Sequence, residues 1–282
     1  MKPVLKIILP LAAFCCLSFS ARAGLKDDVM CLADTLMEGR GHASRGAVEA
    51  QIYLLKRFGG MGYEPSLQTF RTERGVGRNI IAVCRGDRKS SQYTLICAHY
   101  DGVGNPGGTV YPGADANASG VAVLLYLAEA LKDSGRNYVF AALDGYSEGM
   151  SGAETLASEG GWKLSMVISL DTIGATIAPP NKYRPDYLIA LGGKKWEKKF
   201  DEANEKTGLR IYFDYYKSKS FTDYFYTRMS DQAPFLRRGV TALMFTSGIT
   251  LNTNKITDTA ETLDYEILQK RAEVIRNWLL LI

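Results

Sequence analysis

Three short segments carry most of the residue types that could bind a metal or catalyse hydrolysis. They are Ala98-His99-Tyr100-Asp101, Gly113–Gly120 (GADANASG) and Ser169–Gly174 (SLDTIG). Together they supply an imidazole and several carboxylates, and these nitrogen and oxygen donors are typical ligands of catalytic zinc. Imidazoles are scarce, because His42 and His99 are the only histidines in the sequence, and only His99 lies in these segments. A two-metal centre built from two imidazoles and three carboxylates therefore cannot be assembled from these segments.

Apolar runs alternating with amphipathic segments must position these residues. The predicted strands are Ser66–Arg71, Asn79–Cys84, Tyr93–Ala98, Tyr138–Leu143, Met166–Leu170, Leu188–Leu191 and Thr241–Phe245. The predicted helices are Leu25–Met37, Ala47–Met61, Asn117–Leu131, Lys195–Lys206 and Glu261–Leu281. Short unbroken apolar runs are typical of strands buried on both faces of a parallel sheet. The pattern predicts an α/β fold, a three-layer α/β/α sandwich around a mixed, mostly parallel sheet.

Polar residues follow three of the predicted strands directly. His99, Asp144 and Asp171 each come just after a strand. In α/β sheets, ligands bind at the carboxyl ends of the strands. We therefore expect these side chains to surround one cleft.

The amino terminus has the pattern of a secretory signal peptide over residues 1–23. Two lysines precede an apolar run, Ile7–Phe19, and Ala21-Arg22-Ala23 forms an A-x-A cleavage site. The apolar run is too short to span a membrane comfortably. We expect export to the periplasm or the cell exterior, with residues 24–282 forming a single domain.

Net charge and cysteine content exclude some classes of protein. Three of the four net positive charges lie in the predicted signal peptide, which leaves about +1 and no basic surface for nucleic acid. A lipoprotein anchored through Cys15 or Cys16 is a less favoured alternative to free export. The remaining cysteines, Cys31, Cys84 and Cys97, could form one disulfide, but the sequence does not choose the pair.

The motifs, in their order, resemble those of the co-catalytic two-zinc aminopeptidases, the family of bacterial leucyl aminopeptidase, glutamate carboxypeptidase II and glutaminyl-peptide cyclase. The resemblance extends over nearly all of the chain after the signal peptide. It includes Met37-Glu38-Gly39-Arg40-Gly41, Ser230-Asp231-Gln232 and Thr257-Asp258-Thr259, besides the three segments above. It implies the fold of that family and metal-assisted hydrolysis, in which two zinc ions share a carboxylate and a water molecule.

The resemblance also implies a role for each position of the family's metal centre. His99 and Asp171 correspond to ligands of the first metal, and Asp101 to the partner that orients His99. The positions of the bridging aspartate, the general base, the second carboxylate and the second imidazole hold Ala116, Tyr146, Ser147 and Gln232. A polar position near the substrate pocket holds Asn254. We therefore expect no zinc, or at most one zinc that is weakly held.

Nearby residues leave alternative chemistries open. Asp115 and Glu148 lie next to lost acidic positions and could complete a single-metal site, with Asp144 as a further helper. Ser147, His99 and Asp101 could instead form a metal-free nucleophilic relay. Our leading prediction is a non-catalytic protein that binds a peptide, an amino-acid derivative or a protein partner near Tyr146, Gln232 and Asn254. The alternatives are a single-metal or a metal-free hydrolase.

Two other features have mainly structural interpretations. The aromatic segment Tyr212–Tyr226 favours a β-hairpin or packed loop over the wall of a ligand groove. His42 lies outside the motifs in a glycine-rich loop, which favours a structural role.

Overall fold

One mixed sheet forms the centre of the molecule. The computed structural model describes residues 23–86, 90–176, 184–215 and 217–282, and in them eight strands have the spatial order β1-β2-β4-β3-β5-β8-β6-β7. The strands are β1 (Ser66–Thr72), β2 (Gly75–Cys84), β3 (Gln92–His99), β4 (Tyr138–Leu143), β5 (Lys163–Leu170), β6 (Tyr187–Leu191), β7 (Arg210–Tyr212) and β8 (Ala242–Thr246). The β3–β4, β3–β5, β5–β8 and β6–β7 pairs are parallel, and the other three pairs are antiparallel. The mixed, mostly parallel sheet is thus confirmed.

Helices cover both faces of this sheet. They are α1 (Leu25–Leu32), α2 (Arg45–Gly60), α3 (Gly120–Leu131), α4 (Ser151–Glu159), α5 (Glu197–Asn204), α6 (Lys219–Arg228), α7 (Ala233–Leu236) and α8 (Tyr265–Leu281). Side chains cap several of them: Ser44 begins α2 and Asp264 begins α8 by accepting backbone N–H groups. None of the helices in the described residues is long and apolar enough to cross a membrane.

Alternate strand residues face two separate cores, because successive side chains of a strand point to opposite faces. In β2, Ile80 packs in the larger core, which α1, α2, α3, α5 and α8 cover. Its neighbour Ile81 packs in the smaller core, with Ala153 of α4 and Phe235 of α7. The structure therefore has the three predicted layers, with a thick helical layer on one face and a thin one on the other.

Several predicted elements differ from those observed. α1 ends at Leu32 because Asp34 caps a new 3-10 turn, Thr35–Arg40. α3 begins only at Gly120, since Ala114–Ser119 forms an irregular turn. The prediction of a hairpin or loop for Tyr212–Tyr226 was wrong, because Ser218 caps the helix α6 there.

Further predictions concern the amino-terminal segment, the aromatic segment and the cysteines. Residues 1–22 of the predicted signal peptide, and Tyr216 of the aromatic segment, lie outside the described residues. The disulfide that we left open is absent, because Cys31, Cys84 and Cys97 are free thiols. Cys97 is fully buried in β3, as expected of a small apolar residue.

A buried guanidinium joins the loops that lead to the strand ends. Arg40 donates hydrogen bonds to the carbonyl oxygens of Tyr100 (2.9 Å), Pro112 (2.8 Å) and Gly113 (2.8 Å), and to that of Leu32. Burial lowers the pKa of Arg40 to about 10, so the side chain stays charged at neutral pH. It therefore fixes α1, the end of β3 and the turn before α3 in one arrangement.

Candidate functional site

A cleft lies at the carboxyl ends of the central strands. His99 is the last residue of β3 and Asp171 directly follows β5, and these strands are parallel neighbours. The cavity between them has a volume of about 520 Å³. Its lining comprises His99, Asp101, Gly102, Val103, Ala116, Tyr146, Ser147, Asp171, Thr172, Tyr215, Phe225, Met229, Met244, Ile249, Thr253 and Asn254. The structure thus brings together most residues of the sequence-predicted site.

His99 is enclosed by carboxylates and an aromatic ring. Its Nδ1 lies 2.9 Å from the Asp101 carbonyl oxygen, and its Nε2 lies 3.8 Å from Asp171 Oδ1. The Tyr146 ring stacks on the imidazole, with the ring centroids 4.0 Å apart and the planes 12° apart. Burial alone would lower the pKa of His99, but Asp171, Asp231 and Asp101 outweigh it and raise this pKa to about 9. The imidazole is therefore protonated at neutral pH.

The Asp101 carboxylate binds a turn rather than the imidazole. Its Oδ1 accepts the backbone N–H of Tyr146 (3.0 Å), and its Oδ2 accepts the N–H (3.3 Å) and the hydroxyl (3.4 Å) of Ser147. Its Oδ1 lies 3.7 Å from His99 Nδ1, beyond hydrogen-bond distance, so the backbone carbonyl orients the ring instead. In the described residues, no hydrogen bond joins Ser147 to His99, and the predicted relay is not assembled.

Tyr146 fills space beside His99 as a neutral phenol. Burial raises the pKa of Tyr146 well above its ordinary value, and the nearby charges of Asp171, Asp231 and Asp101 raise it further. Its hydroxyl can therefore donate a hydrogen bond inside the cleft, but it cannot serve as a carboxylate ligand or base.

Two polar residues behind the cleft are buried with oxygens that lack partners. Neither carboxylate oxygen of Asp231 has a hydrogen-bond partner among the described residues, and the same is true of Gln232 Oε1. Burial raises the pKa of Asp231 to about 7, and the charges of Asp171 and Asp101 add to the rise. Gln232 instead donates from Nε2 to the Tyr226 carbonyl, 2.8 Å away. Gln232 does not line the cleft, contrary to its predicted place, whereas Asn254 does.

The two acids considered as substitute ligands do not line the cleft that holds His99. Asp115 Oδ1 accepts the N–H groups of Gly174 (2.7 Å) and Ala175 (3.1 Å), and Asp115 lines a second cavity. Glu148 Oε1 lies 3.1 Å from Arg74 Nε. Over the described ranges, no group of three or more His, Cys, Asp or Glu side chains is placed to hold a metal ion. The donor set therefore does not fit the family's pair of zinc ions.

The Asp144 side chain is hydrogen-bonded to the other histidine and does not line the cleft. Its Oδ1 lies 2.8 Å from His42 Nδ1, and its Oδ2 accepts the Arg78 N–H at 3.0 Å. His42 Nε2 in turn lies 2.8 Å from Thr72 Oγ1. The His42 and Asp144 side chains are completely buried, so this pair holds the loop before α2 against β1 and β4. His42 has the structural role that its position favoured, but its partner was missed.

An apolar wall that sequence reasoning did not favour closes one side of the cleft. Tyr215 and Phe225 stack with their ring centroids 4.5 Å apart, and Met229, Met244 and Ile249 complete the wall. The density of aromatic residues in Tyr212–Tyr226 was the available signal. It was interpreted mainly as packing, and the structure shows that two of these rings line the cleft.

Comparisons with known proteins agree with this geometry. The model of a protein family described as "Peptidase family M28" matches residues 79–279. The alkaline phosphatase isozyme conversion protein of Escherichia coli (strain K12) is 31% identical over 146 residues, which cover 43% of this chain and 42% of that protein. The matched segment thus spans less than half of that relative.

Solved structures of two bacterial enzymes share the fold. The glutaminyl cyclase of Fimbriiglobus ruber superposes with a TM-score of 0.74 at 18% identity, over 92% of this chain and 94% of the cyclase. The aminopeptidase of Aneurinibacillus sp. strain AM-1 superposes with a TM-score of 0.70 at 14% identity, over 90% of this chain and 93% of the enzyme. At these identities, the likeness concerns the fold and not the activity.

Proposed function

The chain belongs to peptidase family M28, and on that premise we propose that it binds a peptide amino terminus or an amino-acid derivative without two-zinc hydrolysis. One observation carries the proposal: the residues at the strand ends do not form a metal-binding donor set. A catalytic zinc normally has three protein ligands, and the cleft offers His99 and Asp171, whose nearest side-chain atoms are 3.8 Å apart. The stacked Tyr146 ring covers one face of that imidazole.

The charge and shape of the cleft favour a ligand that combines an ammonium group with an apolar side chain. Asp171 and Asp101 contribute two carboxylates to the lining beside the protonated His99, and no lysine or arginine lines the cavity within the described residues. Tyr215, Phe225 and Met244 provide an apolar surface in the same cavity. A volume of about 520 Å³ is in the usual range for small-molecule sites. An amino terminus would pair with Asp171 while its first side chain packs against the aromatic wall.

The hydrolase alternatives lack a supporting observation. A single-metal site needs a third ligand, and neither Asp115 nor Glu148 lines the cleft beside His99 and Asp171. A metal-free relay needs the Ser147 hydroxyl on His99, but that hydroxyl contacts Asp101. We retain export as part of the proposal, on the pattern of residues 1–23. Protein secreted from its native host should then begin at residue 24 when its amino terminus is sequenced.

Metal analysis tests the central claim. Purified protein incubated with excess zinc and then dialysed should retain well under one zinc per chain, as measured by plasma mass spectrometry. The fourfold variant Ala116→Asp, Tyr146→Glu, Ser147→Glu, Gln232→His restores the family's donors and is expected to retain more zinc, provided that it folds. Near-stoichiometric zinc in the unmodified chain, lost in His99→Ala, would contradict the proposal, as would chelator-sensitive hydrolysis of amino-acid p-nitroanilides.

Ligand binding tests the second claim. Leucinamide and a short peptide with an amino-terminal leucine should bind in calorimetric titrations, whereas their N-acetylated forms should bind at least tenfold more weakly. Asp171→Asn should weaken binding of the free amine and leave binding of the acetylated form unchanged. Equal affinity for the free and the acetylated ligands would remove the assigned role of Asp171.

A further inference from the structure

Two large apolar side chains that line the cleft remain exposed to solvent. Val103 and Ile249 both belong to its lining, yet they are 44% and 40% exposed. The wall residues Tyr215 and Phe225 are by contrast buried. Exposed apolar surface that continues from a cavity is typical of a ligand-binding groove. We call Val103 and Ile249 the rim.

The two rim residues lie on loops that follow strands on either side of β5. In the sheet, β5 lies between β3 and β8, and both pairings are parallel. Val103 lies shortly after β3 and Ile249 shortly after β8, whereas Asp171 directly follows β5. Because parallel strands bring their carboxyl ends to one edge of the sheet, the rim residues come from the loops on either side of the proposed ammonium partner.

Hydrogen bonds hold the backbone of the rim in place. The residues directly before and after Val103 donate their N–H groups to carbonyl oxygens of the 3-10 turn Thr35–Arg40, each at 3.1 Å. The N–H of Ile249 donates to the Tyr215 hydroxyl at 2.8 Å. Apolar side chains on a backbone that is already ordered lose little conformational freedom when a ligand binds, which favours affinity.

The cleft has room for more than the first residue of a ligand. Its volume of about 520 Å³ exceeds that of any single amino-acid residue. Asn254, later in the same loop as Ile249, also lines the cavity, and its amide can donate to and accept from a peptide group. These features favour a peptide over a free amino acid.

We propose that the ligand is a peptide with an apolar second residue, whose side chain binds to Val103 and Ile249. The proposal rests on the function proposed above, in which Asp171 binds the amino terminus and the aromatic wall binds the first side chain. It adds a preference at the second position, which that function leaves open. A very small or polar second side chain would gain no apolar contact at the rim.

Calorimetric titration with a series of dipeptide amides measures this preference. Leucyl-leucinamide should bind about tenfold more tightly than leucyl-glycinamide, because the second leucine side chain buries apolar surface on a rim that is itself partly exposed. Leucyl-asparaginamide has a second side chain of similar size to leucine but polar. It should therefore bind about as weakly as leucyl-glycinamide, which separates apolar contact from mere size.

Matched pairs of variants locate the preference on the rim. Val103→Thr combined with Ile249→Thr keeps β-branched side chains and adds a hydroxyl to each, so the protein should fold. The affinity ratio of leucyl-leucinamide to leucyl-glycinamide should then fall to about twofold or less. Val48→Thr combined with Ile52→Thr makes the same exchanges on α2, at side chains that are 43% and 42% exposed and do not line the cleft. This control should keep the ratio of the unmodified chain.

Each outcome supports or overturns a separate claim. Equal affinities for leucyl-leucinamide and leucyl-glycinamide, in a chain that binds leucinamide, would overturn the rim proposal and leave the proposed function standing. A preference that persists undiminished in the Val103→Thr, Ile249→Thr variant would also overturn it. Failure of leucinamide and of all the dipeptide amides to bind the unmodified chain would overturn both proposals.

Discussion

Two groups of polar residues, one lining the cleft and the other behind it, differ in how their side-chain oxygens are hydrogen-bonded. On the side formed by Asp101, Tyr146 and Ser147, which we call the Asp101 side, each carboxylate oxygen accepts at least one hydrogen bond. Behind the cleft, at Asp231 and Gln232, which we call the Asp231 side, three buried oxygens have no hydrogen-bond partner among the described residues. The two carboxylates are equally buried, because Asp101 and Asp231 are each 1% exposed, so exposure of the carboxylates does not explain the difference.

The difference separates residues whose side chains are hydrogen-bonded to the surrounding loops from residues whose oxygens are left without hydrogen bonds. Buried polar groups are nearly always hydrogen-bonded, and the exceptions are concentrated at functional positions. On the Asp101 side, backbone amides satisfy the carboxylate. On the Asp231 side, the side chain of Gln232, which the sequence resemblance placed at an imidazole position, turns to the carbonyls of α6. Asp231 faces the charge and the backbone N–H of His99, which lower its pKa, but neither of its oxygens makes a well-formed hydrogen bond among the described residues.

The largest loss of stability is expected when Arg40 is replaced, because its guanidinium joins the loops next to the Asp101 side. Arg40→Ala would leave the carbonyls of Leu32, Tyr100, Pro112 and Gly113 without their shared donor. Each buried acceptor left unpaired costs about 1–3 kcal/mol, partly recovered where water enters, so the free energy of unfolding should fall by about 3–5 kcal/mol. Denaturant unfolding followed by circular dichroism measures this loss.

Arg45 offers a matched control for that experiment. Its side chain is 75% exposed and lies 3.8 Å from Glu38. Arg45→Ala should change the free energy of unfolding by less than about 0.5 kcal/mol, because exposed ion pairs contribute little. Similar losses in the two variants would mean that the Arg40 contacts do not support the Asp101 side.

Opposite signs are expected when one aspartate on each side is replaced. Asp101→Asn exchanges an acceptor for a donor opposite backbone N–H groups and should destabilise the protein by about 2–3 kcal/mol. Asp231→Asn removes a charge whose burial outweighs its attraction to His99, since the pKa of Asp231 is raised, and should stabilise the protein by about 1–3 kcal/mol at pH 8. Denaturant unfolding of both variants at pH 5 and pH 8 measures the contrast. Destabilisation of the same size in both would erase the difference between the two sides.

The titration of Asp231 predicts how the stability gain of Asp231→Asn should change with pH. Burial raises the pKa of Asp231 from about 3.8 in the unfolded chain to about 7. Between these values the folded chain binds more protons than the unfolded chain, so this carboxyl makes the protein less stable as pH rises from 4 to 7. Asp231→Asn removes that decline, and its gain should therefore be smaller at pH 5 than at pH 8. The pKa of His99, which Asp231 helps to raise, should fall in the same variant.

Sequence reasoning predicted the sheet and the members of the cleft that follow strands. His99 and Asp171 could be placed because parallel neighbouring strands bring their carboxyl ends to one edge. The fold class followed from short apolar runs alternating with helices, and the family motifs fixed the order of the elements. These signals are local in sequence, and a single chain displays them directly.

The remaining features depend on tertiary contacts that no local pattern encodes. Asp144 follows β4 as predicted, yet its carboxylate is taken by His42, 102 residues earlier in the chain. Gln232, which the resemblance predicts to be in the site, turns instead to carbonyls of α6, a helix that the aromatic pattern did not indicate. Asp115, predicted to lie one residue from the bridging position, lines another cavity.

The smallest effect is expected from Ser147, whose hydroxyl is a minor part of the Asp101 side. Ser147→Ala removes a 3.4 Å contact with Asp101 but keeps the backbone N–H that bonds the same carboxylate. The free energy of unfolding should therefore change by less than about 1 kcal/mol, close to that of the surface control Ser165→Ala. Leucinamide binding should be unchanged, since the proposed ammonium partner is Asp171. Any p-nitroanilide hydrolysis that resists chelators and disappears in Ser147→Ala would instead assign this hydroxyl a nucleophilic role, and would show that the Asp101 side carries chemistry as well as structure.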